Sequence, residues 1–170
     1  MDFLELATRR YSCRNISDRE VEHELIDKIV ECACIAPTAV NKQCFRLWIM
    51  QSEDAKTKLK TCAKRTFGAD NFLVLGAAKE GAWTRKYDGH YFSEVDAAIV
   101  ATHIMLEIED LGLATTWVGN FDAPHLQELY PEMQDYELIA VFPFGYAEND
   151  AEPSERHMER KSIEELVTVL

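Results

Sequence analysis

The sequence predicts an α+β fold in which helices surround a small, mostly antiparallel sheet. Helical patterns come first along the chain, and short apolar strands are then mixed with further helices, an order typical of this class. Neither a Gly-x-Gly-x-x-Gly nor a Gly-x-x-x-x-Gly-Lys motif occurs, so a dinucleotide-binding fold and a P-loop are both unsupported. The 170 residues, 47% of them hydrophobic, suffice for one packed domain spanning residues 1–170.

The N-terminal part of the chain is predicted to be helical. Residues 2–9 have an apolar side and form a short first helix. Ser17-Asp18-Arg19-Glu20 matches a capping box, which predicts that a second helix begins there. The apolar stripe of this helix continues to about Ala36, and Pro37 ends it because proline cannot continue a helix.

The next stretch contains two strands separated by a helix. Phe45–Met50 has the residue types of a strand. Ser52 then predicts the N-cap of a helix over residues 53–65. Phe72–Leu75 is a short apolar run typical of a buried strand.

Residues 79–92 show no clean periodicity and are rich in aromatic side chains, namely Trp83, Tyr87, Tyr91 and Phe92. The dipeptide Asp88-Gly89 within them predicts a turn. Two interpretations stay open for this segment. It is either a lid over a binding site or a surface loop that packs its aromatic residues on the body of the domain.

The longest predicted helix follows. Ser93-Glu94-Val95-Asp96 is read as a second capping box, and the helix should end near Gly112. Its segment Ala97–Leu106 is apolar nearly all round, as in a helix that is buried on most sides. This pattern indicates either the centre of the domain or a subunit interface.

The C-terminal third contains two more strands and a tail. Ala114–Val118 is predicted as a strand, and Asp122 as the cap of a short helix. Glu137–Tyr146 is predicted as a buried strand in which Pro143 indicates a sheet edge or a strand end. Residues 147–170 form an extended tail whose apolar end must pack on something.

Composition excludes several classes of function. The formal net charge of −12 argues against binding to nucleic acid, whose phosphates would be repelled. The five cysteines include no Cys-x-x-Cys pair, which suits a reducing compartment, and the histidines lack metal-ligand spacing. Without a long apolar run or a signal peptide, we expect a cytoplasmic protein with no membrane partner and no metal.

Two polar stretches stand out in this acidic chain. Arg9-Arg10-Tyr11-Ser12-Cys13-Arg14 contains three guanidiniums, whose planar forks fit phosphate, and a serine hydroxyl. If this stretch stood alone, it would be explained as a solvated basic turn after a helix, because cations are favourable at a helix C-terminus. However, Ala36-Pro37-Thr38-Ala39-Val40-Asn41-Lys42-Gln43 is a second loop of small and amide residues, between a helix and a strand. Together they favour a binding site.

These two stretches resemble the nitroreductase family of flavin enzymes. That family has an Arg-(Arg/His)-Ser-x-(Arg/Lys) motif followed by a Pro-Ser-x-x-Asn-x-Gln-Pro-Trp loop. Tyr11 replaces the basic second residue of the first motif, and Cys44-Phe45 replaces Pro-Trp in the second. The resemblance continues in the family's order through Leu111–Gly119, Phe144–Tyr146 and Glu159–Leu166.

The resemblance implies an intertwined homodimer with two FMN sites at its interface and with residues 147–170 packing on the partner subunit. The arginine stretch and Arg160 would come from one subunit, and the second loop from the other. The cofactor-binding residues implied in this way are Arg10, Tyr11, Ser12, Arg14, Pro37, Thr38, Ala39, Asn41, Val118, Gly119, Asn120, Arg160 and Lys161.

The function implied by the resemblance is that of an FMN-dependent oxidoreductase. NADH or NADPH would donate a hydride, and a nitroaromatic, a quinone or a similar small molecule would accept it in a ping-pong reaction. The flavin would carry the chemistry, so no catalytic side chain is assigned. Two alternatives stay open: a non-catalytic protein that binds or stores flavin, and an acidic interaction protein without a cofactor.

Overall fold

The computed structural model describes residues 2–170 and has an α+β architecture, which confirms the predicted fold class. The helices are α1 (Phe3–Arg9), α2 (His23–Ile35), α3 (Glu53–Cys62), α4 (Ser93–Asp110), α5 (Ala123–Leu129) and α6 (Ile163–Leu166). The strands are β1 (Phe45–Met50), β2 (Asn71–Ala78), β3 (Ala114–Thr115) and β4 (Tyr136–Gly145). Within the described chain, no helix is long and apolar enough to cross a membrane.

The strands form one sheet in the order β1-β2-β4-β3, and every pairing is antiparallel. Leu75 at the centre of β2 faces Leu47 on β1 and Ala140 on β4. The third strand is much shorter than predicted, because it ends at Thr115. Val118 returns to the sheet only as an isolated bridge to Val141.

Both faces of the sheet are covered by helices. Successive side chains of a strand point to opposite faces. Leu73 and Leu75 of β2 therefore pack in the core formed with α2 and α4, whereas Phe72 and Val74 pack in a second core with α3 and α5. Strand β4 does the same, with Ala140 and Phe142 in the first core and Leu138 and Val141 in the second, so the two central strands connect the cores.

Helix α4 lies at the centre of the domain. It packs against α2 and against β2, β3 and β4. Its fully buried apolar residues follow helical spacing and are Ala97, Val100, Ala101, Ile104 and Ile108. The opposite side is open, since Val95 is 39% exposed and Thr102 is exposed. The apolar sequence therefore does correspond to a central helix, but one face of it remains uncovered in the protomer.

Two predicted helix caps are confirmed. The Ser52 side chain accepts the N–H of Ala55 at 3.2 Å, and the Asp122 side chain accepts the N–H of His125 at 3.1 Å. Both caps depend only on neighbouring residues, so the local sequence determines them. Helix α3 nevertheless ends at Cys62, before the predicted end at residue 65.

The first predicted capping box is wrong. Helix α2 begins at His23, and its N-cap residue Glu22 makes no side-chain cap. The reason is that the segment before it belongs to the sheet region: the N–H of Ile16 donates to Phe67, and the N–H of Ser17 donates to Tyr146. These long-range bonds keep the backbone extended where the local pattern indicated a helix.

The second predicted capping box is also wrong. Helix α4 already includes Ser93, and Phe92 occupies the N-cap position without a side-chain bond. The buried Ser93 hydroxyl donates instead to the carbonyl of Ala78 at 2.6 Å. Asp96, the predicted acidic partner of the box, accepts a hydrogen bond from a distant loop.

Pro143 lies in an interior strand, two residues before its end, so of the two predicted positions the sheet edge is wrong and the strand end is right. Strand β4 is flanked by β2 and β3. Val141 exchanges two backbone hydrogen bonds with Val118, on the β3 side of β4. Backbone groups two residues apart in a strand point to the same side, so the backbone nitrogen of Pro143, which carries no hydrogen, also faces the β3 side. Strand β3 has ended at Thr115 there, and the Thr115 hydroxyl donates to the Pro143 carbonyl at 2.7 Å. The interrupted third strand therefore accommodates a proline in an interior strand.

Residues 79–92 form a small irregular hairpin between β2 and α4, closed by a β-bridge. Trp83 packs edge-on against Phe92, with ring centroids 4.9 Å apart. Tyr87 is 85% exposed. The hairpin thus packs part of its aromatic set and presents Tyr87 to solvent, so its role as a lid stays a prediction.

The C-terminal segment exposes its apolar residues. It contains one helical turn, α6, with the reciprocal Ser162–Glu165 capping box. Every residue from 158 to 170 is exposed. The large apolar side chains among them are Met158, Ile163, Leu166, Val167, Val169 and Leu170. The protomer therefore does not bury this tail, and its packing on a partner stays a prediction.

The contact between Gly68 and Ile16 yields a stability prediction. Gly68 has φ +89°, and a Cβ there would lie 2.2 Å from the Ile16 carbonyl oxygen. Gly89 has φ +72° with nothing within 4 Å. Gly89→Ala should cost about 1 kcal/mol of unfolding free energy from backbone strain alone. Gly68→Ala should cost clearly more, because the backbone must also move. Urea unfolding of both variants tests this, and equal losses would contradict the steric account.

Candidate functional site

The arginine stretch runs along the short edge strand β3. The N–H of Cys13 donates to the Thr115 carbonyl at 3.0 Å, and the Cys13 side chain is buried. This anchor fixes the neighbouring residues at the sheet edge. Ser12 is half-buried beside it, and Arg14 is exposed.

The three guanidiniums of this stretch differ in their partners. Arg9 donates to the Glu109 carboxylate at 2.7 Å, which ties it to the end of α4. Among the ion pairs within residues 2–170, none includes Arg10 or Arg14. In the described part of the chain, the Arg14 side chain donates to the Ser12 carbonyl alone, at 3.2 Å. Two donor forks beside β3 are therefore available to an anion.

Tyr11 joins the arginine stretch to the C-terminal segment. Its hydroxyl lies 3.5 Å from the Ala151 carbonyl, and its ring meets the His157 ring edge-on at 6.2 Å. Burial raises the pKa of Tyr11 to about 12, so its hydroxyl stays protonated at neutral pH and can donate. The segment held in this way continues to Arg160 and Lys161, both exposed.

Val118, Gly119 and Asn120 lie along the same edge of the sheet. Val118 is buried, and its backbone exchanges hydrogen bonds of 2.9 and 3.0 Å with Val141. Gly119 and Asn120 follow directly and are exposed. Neither of their N–H groups donates to another residue of the described chain. The bridge therefore holds two backbone donors at a fixed place on the surface.

The second predicted stretch, residues 37–43, is a tightly structured loop. Val40, Asn41 and Gln43 have φ of 47°, 55° and 53°, a left-handed backbone that is unfavourable for side chains with a Cβ. The Thr38 hydroxyl accepts the N–H of Gln43 at 2.9 Å. The Gln43 amide donates to the Asn41 side chain, also at 2.9 Å. These bonds hold the loop in a strained conformation.

Asp96 of α4 connects this loop to the rest of the fold. Its Oδ1 atom accepts the N–H of Ala39 at 2.9 Å, and the residue is 1% exposed. Its Oδ2 atom has no hydrogen-bond partner within residues 2–170. This contact could not be predicted from the sequence, because Asp96 fits the acidic position of a capping box with Ser93.

Helix α4 separates the predicted site residues into two groups. Asp96 holds the loop near its N-terminus, and Glu109 holds Arg9 near its C-terminus. Thirteen residues at 1.5 Å per residue give about 20 Å between the two positions along the helix. The arginine stretch, the residues after β3 and the C-terminal segment thus form one group, and the loop 37–43 forms the other.

The sequence profile of the nitroreductase family matches residues 7–69 and 60–146 of this chain. The matched range contains the arginine stretch, the loop 37–43, α4 and the residues that follow β3. The structure describes all of these parts, so the match and the candidate site refer to the same elements.

Two relatives match nearly the whole chain. A protein of Methanothermobacter thermautotrophicus, provisionally named NADH dehydrogenase/NAD(P)H nitroreductase, is 27% identical over 94% of this chain and 88% of its own. The iodotyrosine deiodinase of Nematostella vectensis is 24% identical over 99% of this chain and 75% of its own. The two relatives thus carry the names of two different activities.

Solved structures agree with the profile. A nitroreductase family protein of Clostridium difficile has a TM-score of 0.90 and 37% identity, covering 99% of this chain and 98% of its own. A provisionally named nitroreductase of Exiguobacterium sibiricum in complex with FMN has a TM-score of 0.84 at 19% identity, covering 100% and 98%, and shares the fold. Because the profile spans most of the chain and a 37%-identical protein spans nearly all of it, the chain belongs to the nitroreductase family.

Proposed function

We propose that this protein is an FMN-dependent NAD(P)H oxidoreductase that reduces nitroaromatics, quinones or similar acceptors by ping-pong hydride transfer. The observation that carries the proposal is the pair Arg10 and Arg14, which stand beside β3 without a carboxylate partner in the described residues. In a chain with a net charge of −12, carboxylates are plentiful. Two guanidiniums only four positions apart in the sequence, neither with a carboxylate partner in the described residues, therefore favour a bound anion.

The residues at the end of α1 fit the phosphate of FMN. Arg10 and Arg14 offer planar donor forks, and the Ser12 hydroxyl between them offers a third donor. Tyr11 holds the C-terminal segment nearby, so Arg160 can approach the same anion. These are the donors that a phosphate monoester requires.

The residues after β3 fit the edge of a flavin ring. Gly119 and Asn120 present backbone N–H groups that have no acceptor within residues 2–170. The bridge of Val118 to Val141 keeps them in place. FMN, when bound, would supply the hydride chemistry, so the chain's own residues need only bind it, orient it and leave a stacking space over it.

A second copy of the chain would complete the site. The loop 37–43 lies too far along α4 to reach the arginine stretch of its own protomer, so we propose that it contacts the flavin of the partner. The exposed tail 158–170 and the open side of α4 provide apolar surface for such a homodimer. The site and the interface would then form together.

The phosphate clamp predicts the effect of removing one arginine. Arg10→Ala or Arg14→Ala should weaken FMN binding by about tenfold to a hundredfold, the range for hydrogen bonds to a charged group. Arg19→Ala is the matched control, because Arg19 already pairs with Glu22 and covers the Tyr146 ring. Fluorescence titration of FMN measures the affinities. Equal losses in all three variants would point to overall charge rather than to a clamp.

The exposed tail predicts that dimerisation depends on it. Deleting residues 163–170 removes the exposed large apolar side chains Ile163, Leu166, Val167, Val169 and Leu170 but keeps Arg160 and Lys161. The deletion should shift the monomer–dimer equilibrium towards monomer and reduce flavin retention with it. Glu164→Gln, which leaves the apolar residues intact, should do neither. Sedimentation at several concentrations tests this, and a truncated protein that stays dimeric and yellow would exclude the tail.

The shared stacking space predicts ping-pong kinetics. If the space holds either the nicotinamide or the acceptor, initial rates at several acceptor concentrations should give parallel double-reciprocal lines. The acceptor series should include a nitroaromatic, a quinone and iodotyrosine, since one relative is named a deiodinase. Intersecting lines would mean that both substrates bind together. Bound flavin that neither NADH nor NADPH reduces would support a storage role instead.

A further inference from the structure

We infer that Asp96 is the positioning residue that holds the loop 37–43 in the shape required for flavin binding. The inference rests on the proposed function, in which the loop 37–43 of one subunit contacts the flavin bound by the other. Among the hydrogen bonds within residues 2–170, the bond from Ala39 to Asp96 is the one that joins this loop to a part of the chain distant in sequence.

Burying the Asp96 carboxylate costs free energy, so packing alone does not explain why an aspartate stands at this position. Removing a carboxyl group from water is unfavourable, and an apolar residue of similar size would fill the same space at less cost. The group lies in the first turn of α4, where the helix dipole favours negative charge. Its bond, however, leaves the helix and goes to the Ala39 N–H. Helix α4 therefore holds Asp96 in position, and Asp96 holds the loop.

The loop needs such a contact because its backbone is strained. Val40 and Asn41 both adopt left-handed conformations, and Val40 is β-branched, the residue type least suited to them. Strained residues persist only where the surroundings fix them. Without the Asp96 bond, only the loop's own bonds, such as those of Gln43 to Thr38 and Asn41, would oppose relaxation. A cofactor would then have to restore the shape of the loop on binding, which lowers affinity.

Three substitutions separate this role from general stability. Asp96→Ala removes the acceptor. Asp96→Asn keeps an oxygen for the Ala39 N–H, and its new amide replaces Oδ2, which has no hydrogen-bond donor in the described residues. Ser93→Ala is the matched control, since Ser93 is equally buried in the same turn but donates to Ala78 instead of the loop.

Two measurements are needed on each protein. The first is FMN affinity by fluorescence titration. Asp96→Ala should weaken binding about tenfold, Asp96→Asn should bind within about threefold of the parent, and Ser93→Ala should lower the melting temperature without changing affinity. An Asp96→Ala protein that binds FMN as tightly as the parent would overturn the inference, and so would an asparagine variant as weak as the alanine variant.

The second measurement is hydrogen exchange of the loop amides in cofactor-free protein. Asp96→Ala should speed the exchange of Asn41, Lys42 and Gln43, whereas Ser93→Ala should not; unchanged exchange in Asp96→Ala would refute the positioning role. This measurement does not require flavin. A parent protein that fails to bind FMN would contradict the proposed function, while the exchange rates would still show whether Asp96 holds the loop.

A variant on the loop side covers the case in which Asp96→Ala does not fold. Ala39→Pro removes the donated N–H while leaving Asp96 in place. Proline suits this position, because Ala39 begins a short helical turn and the preceding Thr38 is extended, at φ −131° and ψ 158°. Faster exchange at residues 41–43 is expected here too, and exchange equal to that of the parent would overturn the inference.

Discussion

The burial of α4 between α2 and the sheet is the interaction on which the rest of the structure depends. Its apolar side fixes the helix in the larger core, and its two ends then carry buried or half-buried carboxylates that hold functional segments. Asp96 holds the loop 37–43, and Glu109 holds Arg9. Because a helix has a fixed rise per residue, the length of α4 sets the spacing of both segments.

The sequence alone predicted those features that depend on neighbouring residues. The caps at Ser52 and Asp122 followed from residue types within one helical turn. The α+β class and its antiparallel sheet followed from the order of the predicted helices and strands. The arginine stretch was also recognisable, since three guanidiniums in six residues are conspicuous in an acidic chain. The loop 37–43 was recognisable from its small and amide residues, and family resemblance then assigned it to a flavin site. The structure shows it as a defined and strained element.

The features that the sequence did not predict depend on long-range partners. Ser17 and Ser93 both matched a capping pattern. Instead, the Ser17 N–H donates to the Tyr146 carbonyl, and the Ser93 hydroxyl donates to the Ala78 carbonyl. The contact of Asp96 with Ala39 joins residues 57 positions apart and leaves no mark in either local pattern. Pro143 is tolerated in an interior strand because β3 stops short, which only the pairing register reveals.

The separation of the two groups of residues by α4 has a genetic consequence if each site is shared between subunits. A chain defective in the arginine stretch and a chain defective in the loop 37–43 would each form inactive homodimers. A mixed dimer of the two would place both defects in one site and leave the other site intact. Two null alleles of such a gene could therefore complement each other, whereas two alleles damaged in the same segment could not.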